Sequence, residues 1–306
     1  MKTIIVTGAA GLIGKKLTRL LSDRGYDIIA FTRSPDKTKR ILPHVRECVK
    51  WNGDLNISAE CEDKINGAYG IIHLAGEPVS KRWTDQRKKE IFESRKNGTA
   101  GIVKAISQVE NPPKFFFSAS AIGFYGSDSG DMVFTEMSET GNGFLAGVCL
   151  EWEKQAMIAS EFTRVVIGRI GVVLDAREGA LAKMMLPFSM FVGGVIGSGN
   201  QWLSWVHPDD LIGFIVYALE HHHVQGTYNL TAPNAVTMKQ FSSLIGSILH
   251  RPNWLHVPET ALSILLGEGA IIATGGQHVL PKRTIESGYQ FVYSDCENAL
   301  RAIIES

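Results

Sequence analysis

The N-terminal apolar run of this chain leads directly into a glycine-rich segment. Ile4, Ile5 and Val6 are followed by Thr7-Gly8-Ala9-Ala10-Gly11-Leu12-Ile13-Gly14, and leucines recur at helical spacing as far as Ser22. The order predicts a strand, a tight turn and a helix. A chain that starts in this way is expected to form a sheet in which the first strand leads into a helix whose N-terminal N–H groups face an anion.

The residues of this segment have separate expected roles. Gly8 permits the turn, Gly11 lets the backbone approach a phosphate, and Gly14 lets the helix pack closely against the strand. Backbone N–H groups at the helix start, from Leu12 and Ile13, would then face the pyrophosphate. The segment predicts a dinucleotide site, and the alternative is a structural turn rich in glycine.

The end of the second predicted strand, Asp27 to Phe31, indicates which dinucleotide is bound. An acidic residue here would hydrogen-bond a ribose 2′-hydroxyl, whereas a cation accommodates a 2′-phosphate. The chain has Thr32 and Arg33 at this position, with Lys37 and Lys39 nearby. We therefore expect NADP(H) rather than NAD, and the alternative is a solvated basic loop.

Composition excludes several classes of protein. The 306 residues are 44% hydrophobic, and 31 basic side chains balance 31 acidic ones. This balance argues against a nucleic-acid binder, whose affinity depends on concentrated positive charge. The four cysteines are scattered without metal-ligand spacing, and no signal-peptide pattern or membrane-spanning apolar run is visible. We expect a cytoplasmic protein with reduced thiols, no metal site and no membrane partner.

Strand-like and helix-like segments continue to alternate along the chain. Buried strands are expected at residues 69–76, 114–120 and 164–174, and a charged helix is expected at residues 83–109. This alternation predicts an α/β fold of the Rossmann type, a doubly wound parallel sheet with helices on both faces and ligands at the carboxyl ends of its strands. We expect this domain to span residues 1–175 and 200–233. Residues 176–199 and 234–306 would form a smaller C-terminal substrate lobe.

Several landmarks follow the glycine segment in a characteristic order. They are His73-Leu74-Ala75-Gly76, Asn97-Gly98-Thr99, Ser118-Ala119-Ser120, Tyr125-Gly126 and Trp205-Val206-His207-Pro208-Asp209-Asp210. With them the chain resembles the extended short-chain dehydrogenases/reductases, the superfamily of sugar-nucleotide epimerases and dehydratases. Segments such as Gly76-Glu77-Pro78 and Lys81-Arg82-Trp83-Thr84 are similar to its atypical "epimerase family" branch, and the tail from Arg251 to Arg283 resembles that branch's own C-terminal domain.

The resemblance places further cofactor contacts along the chain. Leu74, Ala75 and Gly76 follow the fourth strand, where the resemblance implies contact with the dinucleotide. Arg95 lies on the next helix and is expected to pair with a cofactor phosphate, with a contact along its own helix as the alternative. Arg169 is either a cofactor contact or one half of an internal ion pair.

The main departure from the superfamily concerns proton transfer. Active members carry Tyr-x-x-x-Lys on one helix, where the tyrosine transfers the proton and the lysine lowers its pKa. If Glu153 marks the register of this helix, Leu145 stands at the tyrosine position and Cys149 at the lysine position. Neither side chain reproduces the role of this pair.

Two residues remain as candidates for the chemistry. Ser120 matches the superfamily residue that hydrogen-bonds a substrate carbonyl or hydroxyl, and its other interpretation is the end of a strand. Tyr125 is the nearest alternative proton donor, although it matches a tyrosine better known for lining the pocket.

These observations predict an NADP(H)-dependent oxidoreductase acting on a small carbonyl or alcohol substrate of apolar character. Loss of both residues of the pair supports a different class, a catalytically silent NADP(H)-binding sensor that signals through its C-terminal domain. A sugar-nucleotide epimerase is a third alternative, against which Arg33 and the missing tyrosine both count. A homodimer is expected only from the habit of the superfamily.

Overall fold

Strands and helices alternate along the chain, of which the computed structural model describes residues 2–305, with the side chains of all but residues 128, 129, 131 and 265. The strands are β1 Thr3–Thr7, β2 Asp27–Thr32, β3 Glu47–Lys50, β4 Gly70–His73, β5 Phe115–Ala121, β6 Asp128–Phe134, β7 Arg164–Ile170, β8 Val172–Val173, β9 Gly193–Ile196, β10 Trp202–Leu203, β11 Trp205–Val206, β12 Gly226–Leu230, β13 Val236–Thr237, β14 Asn253–Val257 and β15 Gly276–Val279. The helices are α1 Leu12–Asp23, α2 Pro35–Ile41, α3 Ala59–Ile65, α4 Asp85–Gln108, α5 Phe144–Met157, α6 Gly179–Ser189, α7 Pro208–Glu220, α8 Met238–Leu249, α9 Glu259–Leu266, α10 Ile271–Thr274, α11 Lys282–Glu286 and α12 Cys296–Ile304.

Seven of the strands form one parallel sheet in the order β12-β7-β5-β4-β1-β2-β3. The chain winds outward from β1 in one direction and then, from β4 onward, in the other. This is the doubly wound arrangement, and it confirms the predicted Rossmann fold class. Its central strands are continuous apolar runs because both faces of the sheet are covered by helices.

Separate apolar clusters fill the two faces of the sheet. On one face, α1 and α7 contribute Leu17, Leu21 and Phe214 against Ile4 and Phe117. On the other face, side chains of α3 and α4 pack against β1, β2 and β5. The side chains of successive strand residues alternate between these clusters, so each core strand supplies both.

A third apolar cluster belongs to a smaller C-terminal part of the molecule. Leu181 of α6, Phe241 of α8 and Leu300 of α12 are each buried in it. Two-stranded pairs, β9 with β14 and β10 with β13, lie beside these helices. The residue limits that we assigned to this lobe stay a prediction.

The C-terminal segment also covers the outer edge of the large sheet at β12. The Arg283 guanidinium donates to the carbonyl oxygen of Thr227 at 2.7 Å, and the Thr284 hydroxyl donates to that of Asn229 at 2.7 Å. The Asn229 N–H donates to a carboxylate oxygen of Glu136 at 3.0 Å. Side chains therefore satisfy backbone groups of β12 that face away from β7.

Residues 2–305 contain neither a candidate membrane-spanning helix nor a candidate metal-binding cluster. None of their helices is both long enough and apolar enough to cross a membrane. His, Cys, Asp and Glu side chains in this range form no group of three that could hold a metal ion.

Candidate functional site

A cleft of about 280 Å³ opens at the carboxyl ends of β1, β2, β3 and β4. The switch in winding direction between β1 and β4 creates this crevice, which is where doubly wound sheets bind their ligands. Its lining consists of Gly8, Ala9, Ala10, Gly11, Phe31, Thr32, Arg33, Trp51, Asn52, Gly53, Leu74, Ala75, Gly76, Glu77 and Ser94. The structure thus brings together seven of the predicted cofactor residues from three separate segments.

The glycine turn between β1 and α1 is packed so tightly that side chains are excluded. Gly8 has a φ of +68°, and a Cβ there would lie 2.8 Å from the carbonyl carbon of Leu74. A Cβ on Gly14 would lie 2.4 Å from the carbonyl oxygen of Gly8. These approaches hold the turn against the start of the helix and against the residues that follow β4.

The first turn of α1 begins at the edge of the cleft, next to Gly11, and is a candidate anion site. Gly11 is its N-cap, and no side chain among the described residues caps the N–H groups of this turn. The first N–H groups of any helix lack intrahelical acceptors, and the helix dipole adds positive potential there. Leu12, Ile13 and Gly14 begin this helix but do not line the cleft itself.

A buried chain of hydrogen bonds fixes the floor of the cleft. The Thr7 hydroxyl lies 2.8 Å from His73 Nδ1 and accepts from the N–H groups of Leu74 and Ala75 at 3.2 and 3.1 Å. His73 Nε2 lies 3.2 Å from the Thr99 hydroxyl. Burial, with a smaller contribution from the charge of Arg95, lowers the pKa of His73 to about 3, so the ring is neutral at neutral pH.

Arg33 and Glu77 are the charged side chains among the described lining residues. Arg33 follows β2 directly and Glu77 follows β4, and an Arg33 Nη atom donates to Glu77 Oε1 at 2.8 Å. Burial alone would raise the pKa of Glu77, but hydrogen bonds from Arg87 and Arg33 outweigh it and the pKa is lowered. The basic residue predicted to meet a 2′-phosphate therefore lies in the cleft, paired with a carboxylate.

Arg95 on α4 hydrogen-bonds the backbone of the loop after β4. It donates to the carbonyl oxygen of Glu77 at 3.0 Å and to that of Ile91 at 3.2 Å, and its guanidinium stacks on the Trp152 ring at 5.0 Å. Burial lowers the pKa of Arg95, with Cys149 and Glu77 acting in the opposite direction. The contact with Ile91 is the alternative that the sequence offered, and a phosphate contact stays a prediction.

The predicted catalytic residues belong to one buried polar network. The Ser120 hydroxyl donates to Glu153 Oε1 at 2.6 Å, and Arg169 binds both oxygens of Glu153 at 2.9 and 2.8 Å. Arg169 also donates to the Tyr125 hydroxyl at 2.9 Å, and this hydroxyl donates to Asn229 Oδ1 at 2.7 Å.

This network resolves how Arg169 is used in the structure. Arg169 is 5% exposed and forms the internal ion pair, one of its two predicted roles. It is absent from the cleft lining, as are Ser120 and Tyr125, each 2% exposed. The cofactor role of Arg169 and the catalytic roles of Ser120 and Tyr125 stay predictions.

Cys149 lies beside this network, and the register set by Glu153 would place it at the position of the superfamily's lysine. Burial, followed by the negative charge of Glu153, raises the pKa of the Cys149 thiol to about 11. A Cβ on Gly123 would contact Leu145 Cβ at 3.3 Å and Cys149 Sγ at 3.8 Å. The replacements are therefore packed apolar groups with no charge to offer a cofactor ribose.

Sequence reasoning missed Ser94 on α4 and the segment Trp51-Asn52-Gly53 after β3, which both line the cleft. β3 is four residues long and pairs with β2 at the sheet edge, so it has no periodic apolar signal. The available signal was a tryptophan followed by Asn-Gly, a turn-forming pair, at the point where a third strand was due.

Comparison with known proteins adds a finding to this geometry. The NAD dependent epimerase/dehydratase family matches residues 4–231. The chain belongs to this family. A domain of unknown function, DUF1731, matches residues 257–303, which confirms the predicted branch with its own C-terminal domain.

Relatives in this family match nearly the whole chain. The chloroplastic epimerase family protein SDR39U1 homolog of Arabidopsis thaliana is 44% identical over 99% of this chain and 87% of its own length. The epimerase family protein YfhF of Bacillus subtilis is 39% identical over 98% of this chain and 97% of its own. A crystal structure of human epimerase family protein SDR39U1 with NADPH has a TM-score of 0.88 and 31% identity, covering 99% of both chains.

Proposed function

We propose that this chain binds NADP(H) in the cleft and is an oxidoreductase acting on a small carbonyl or alcohol. The observation that carries the proposal is the position of Arg33, a cation at the end of β2 in the lining of the cleft. A guanidinium binds phosphate through paired hydrogen bonds, whereas NAD has only a ribose hydroxyl at this point. The NADPH named with the human relative supports the same choice.

The residues present fit the cofactor. The uncapped first turn of α1 and the glycine turn at Gly8 offer backbone N–H groups and space for a pyrophosphate. Arg33 would hold the 2′-phosphate, and Trp51 with Asn52 would border the adenosine half. When bound, NADP(H) supplies hydride transfer at the nicotinamide C4.

The hydrogen bonding of Ser120 bears on the substrate. The Ser120 hydroxyl donates to Glu153, so its oxygen would act as an acceptor that orients an alcohol O–H. A carbonyl substrate requires the Ser120 proton to rotate away from Glu153. The Tyr125 hydroxyl donates a hydrogen bond to Asn229. Burial raises the pKa of Tyr125 despite the opposing effect of Arg169. Water is then the other available proton source.

Cofactor titration tests the proposal directly. The purified protein is titrated with NADPH and NADH by cofactor fluorescence and thermal shift, since a ligand that binds the native state alone raises stability in proportion to affinity. We expect tighter binding of NADPH and a loss of about tenfold or more in Arg33→Ala, with NADH affected little. Failure to bind either cofactor would refute the proposal.

A catalytically silent NADP(H) sensor is the second candidate. It is favoured by the apolar packing of Leu145 and Cys149, which leaves no counterpart of the tyrosine and lysine pair. NADPH consumption over a panel of carbonyls, and NADP⁺ reduction over a panel of alcohols, separates the two. Turnover that falls in Ser120→Ala and Tyr125→Phe supports the oxidoreductase, whereas tight NADPH binding without turnover supports the sensor.

A further inference from the structure

An ion pair in the lining of the cleft joins two loops that are far apart in sequence. Arg33 and Glu77 lie 44 residues apart, and their 2.8 Å contact joins the end of β2 to the loop after β4. The Arg33 side chain is 72% exposed, whereas that of Glu77 is 23% exposed. The two partners therefore differ strongly in how firmly the structure holds them.

Three hydrogen bonds besides the one from Arg33 hold Glu77 in place. Its N–H donates to the Ser94 hydroxyl at 3.1 Å, and its carbonyl oxygen accepts from Arg95 at 3.0 Å. Its second carboxylate oxygen accepts from Arg87 at 3.0 Å, and the Arg87 side chain is only 12% exposed. Arg33, by contrast, makes one side-chain hydrogen bond within the described residues, the one to Glu77.

We propose that Glu77 is a specificity-determining residue that competes with the 2′-phosphate of NADP(H) for Arg33. The inference rests on the proposed function and deepens it, because it names the group on the protein that opposes the phosphate. When the phosphate binds, the exposed Arg33 side chain swings from Glu77 to the phosphate. Glu77 stays in place through Ser94, Arg95 and Arg87, and its charge remains close to the bound anion.

This exchange sets the preference between the two cofactors. NADPH must break the Arg33–Glu77 pair and approach a fixed negative charge, and both effects weaken its binding. NADH carries no 2′-phosphate, so it binds with the pair intact. The preference for NADPH is therefore smaller than Arg33 alone would produce, and neutralising Glu77 should increase it.

The experiment compares NADPH and NADH dissociation constants of the full-length protein at low ionic strength. Glu77→Gln keeps the size of the side chain and its acceptor for Arg87 but removes the charge. We expect NADPH to bind roughly threefold to tenfold tighter in this variant and NADH to stay within about twofold of wild type. The NADPH gain should shrink at high salt because the charges are partly exposed.

A matched control and a double variant complete the test. Glu90 is the other carboxylate on Arg87, at 2.9 Å, and it lies outside the cleft lining. Glu90→Gln should leave the ratio of NADPH to NADH affinity unchanged. In an Arg33→Ala background the gain from Glu77→Gln should shrink, because the competition for the guanidinium is gone and only the repulsion between Glu77 and the phosphate remains.

The outcomes separate this inference from the proposed function. Suppose that wild type binds NADPH but that the ratio of NADPH affinity to NADH affinity in Glu77→Gln is equal to or lower than in wild type. This result overturns the role of Glu77 and leaves the cofactor assignment standing. A full gain that persists without Arg33 likewise overturns competition for that residue. If wild type binds neither cofactor, both proposals fail.

Discussion

Neutral His73 should make the stability of this protein fall in mild acid. The ring is buried between Thr7 and Thr99 with a pKa of about 3. Because the folded pKa is lowered, the native protein stays unprotonated while the unfolded chain takes up a proton below its pKa of about 6.5. The contribution of neutral His73 to the free energy of unfolding is complete above about pH 6.5 and is lost as the pH falls toward about 3.

The size of the effect at pH 5 follows from this difference. Each pH unit below the unfolded pKa costs about 1.4 kcal/mol, so the 1.5 units from about 6.5 to 5 cost about 2 kcal/mol. The figure hardly depends on the folded pKa of His73, because pH 5 lies well above it. Two kcal/mol is a large fraction of a typical folding free energy.

Denaturant unfolding at pH 7 and pH 5 measures this loss of stability. Wild type is compared with His73→Asn, which keeps a polar group near Thr7 but does not titrate, and with His222→Asn at an exposed position. Between the two pH values, wild type and His222→Asn should lose about 2 kcal/mol more than His73→Asn. His207, whose pKa burial lowers to about 4, contributes to all three proteins and cancels.

Two spectroscopic probes must give the same transition for these free energies to be compared. The reasoning is refuted if His73→Asn loses as much stability as wild type between pH 7 and pH 5. The imidazole would then be protonated in the native state.

Three further predictions concern the turn, the buried network and the thiol. Gly14→Ala places a Cβ 2.4 Å from the Gly8 carbonyl oxygen, so NADPH affinity should fall at least about tenfold, and an unchanged dissociation constant would contradict this packing. Glu153→Gln strands the charge of Arg169 and should cost about 3 to 5 kcal/mol in denaturant unfolding, whereas joint replacement of both by apolar residues should cost less; equal losses would count against the pair. Cys149 should react with a disulfide reagent at pH 8 only as fast as the protein opens, because burial raises the pKa of its thiol to about 11. Mass spectrometry measures the labelling rate, and rapid labelling of Cys149 would contradict the prediction.

Local signals were sufficient to predict the fold class and the glycine-rich turn between β1 and α1. The apolar run through Val6 and the glycines at Gly8 and Gly14 are adjacent in sequence, so strand, turn and helix could all be inferred there. The expected strand at residues 164–174 was too long, since β7 ends at Ile170 and the next residues, β8, pair with β11 instead. Pairing with a distant strand is not encoded in the local pattern.

The side-chain partners in the candidate site were harder to predict, because they depend on packing between distant segments. Arg33 was correctly placed in the cleft, but its pairing with Glu77 requires the loops after β2 and β4 to meet. The role of Ser120 toward a substrate stays a prediction. Its partner Glu153 on α5, to which its hydroxyl donates, had been used only to set the helix register.

The cover over β12 has a consequence for the C-terminal part of the chain. Arg283 and Thr284 act there as a substitute for an eighth strand, since their side chains supply the donors that a neighbouring strand would offer. A free strand edge is a template for pairing between molecules. The region matched by the domain of unknown function is thus more than an appendage to a nucleotide-binding domain. A chain ending before it would expose the edge of β12 to other molecules, and we expect such a chain to self-associate.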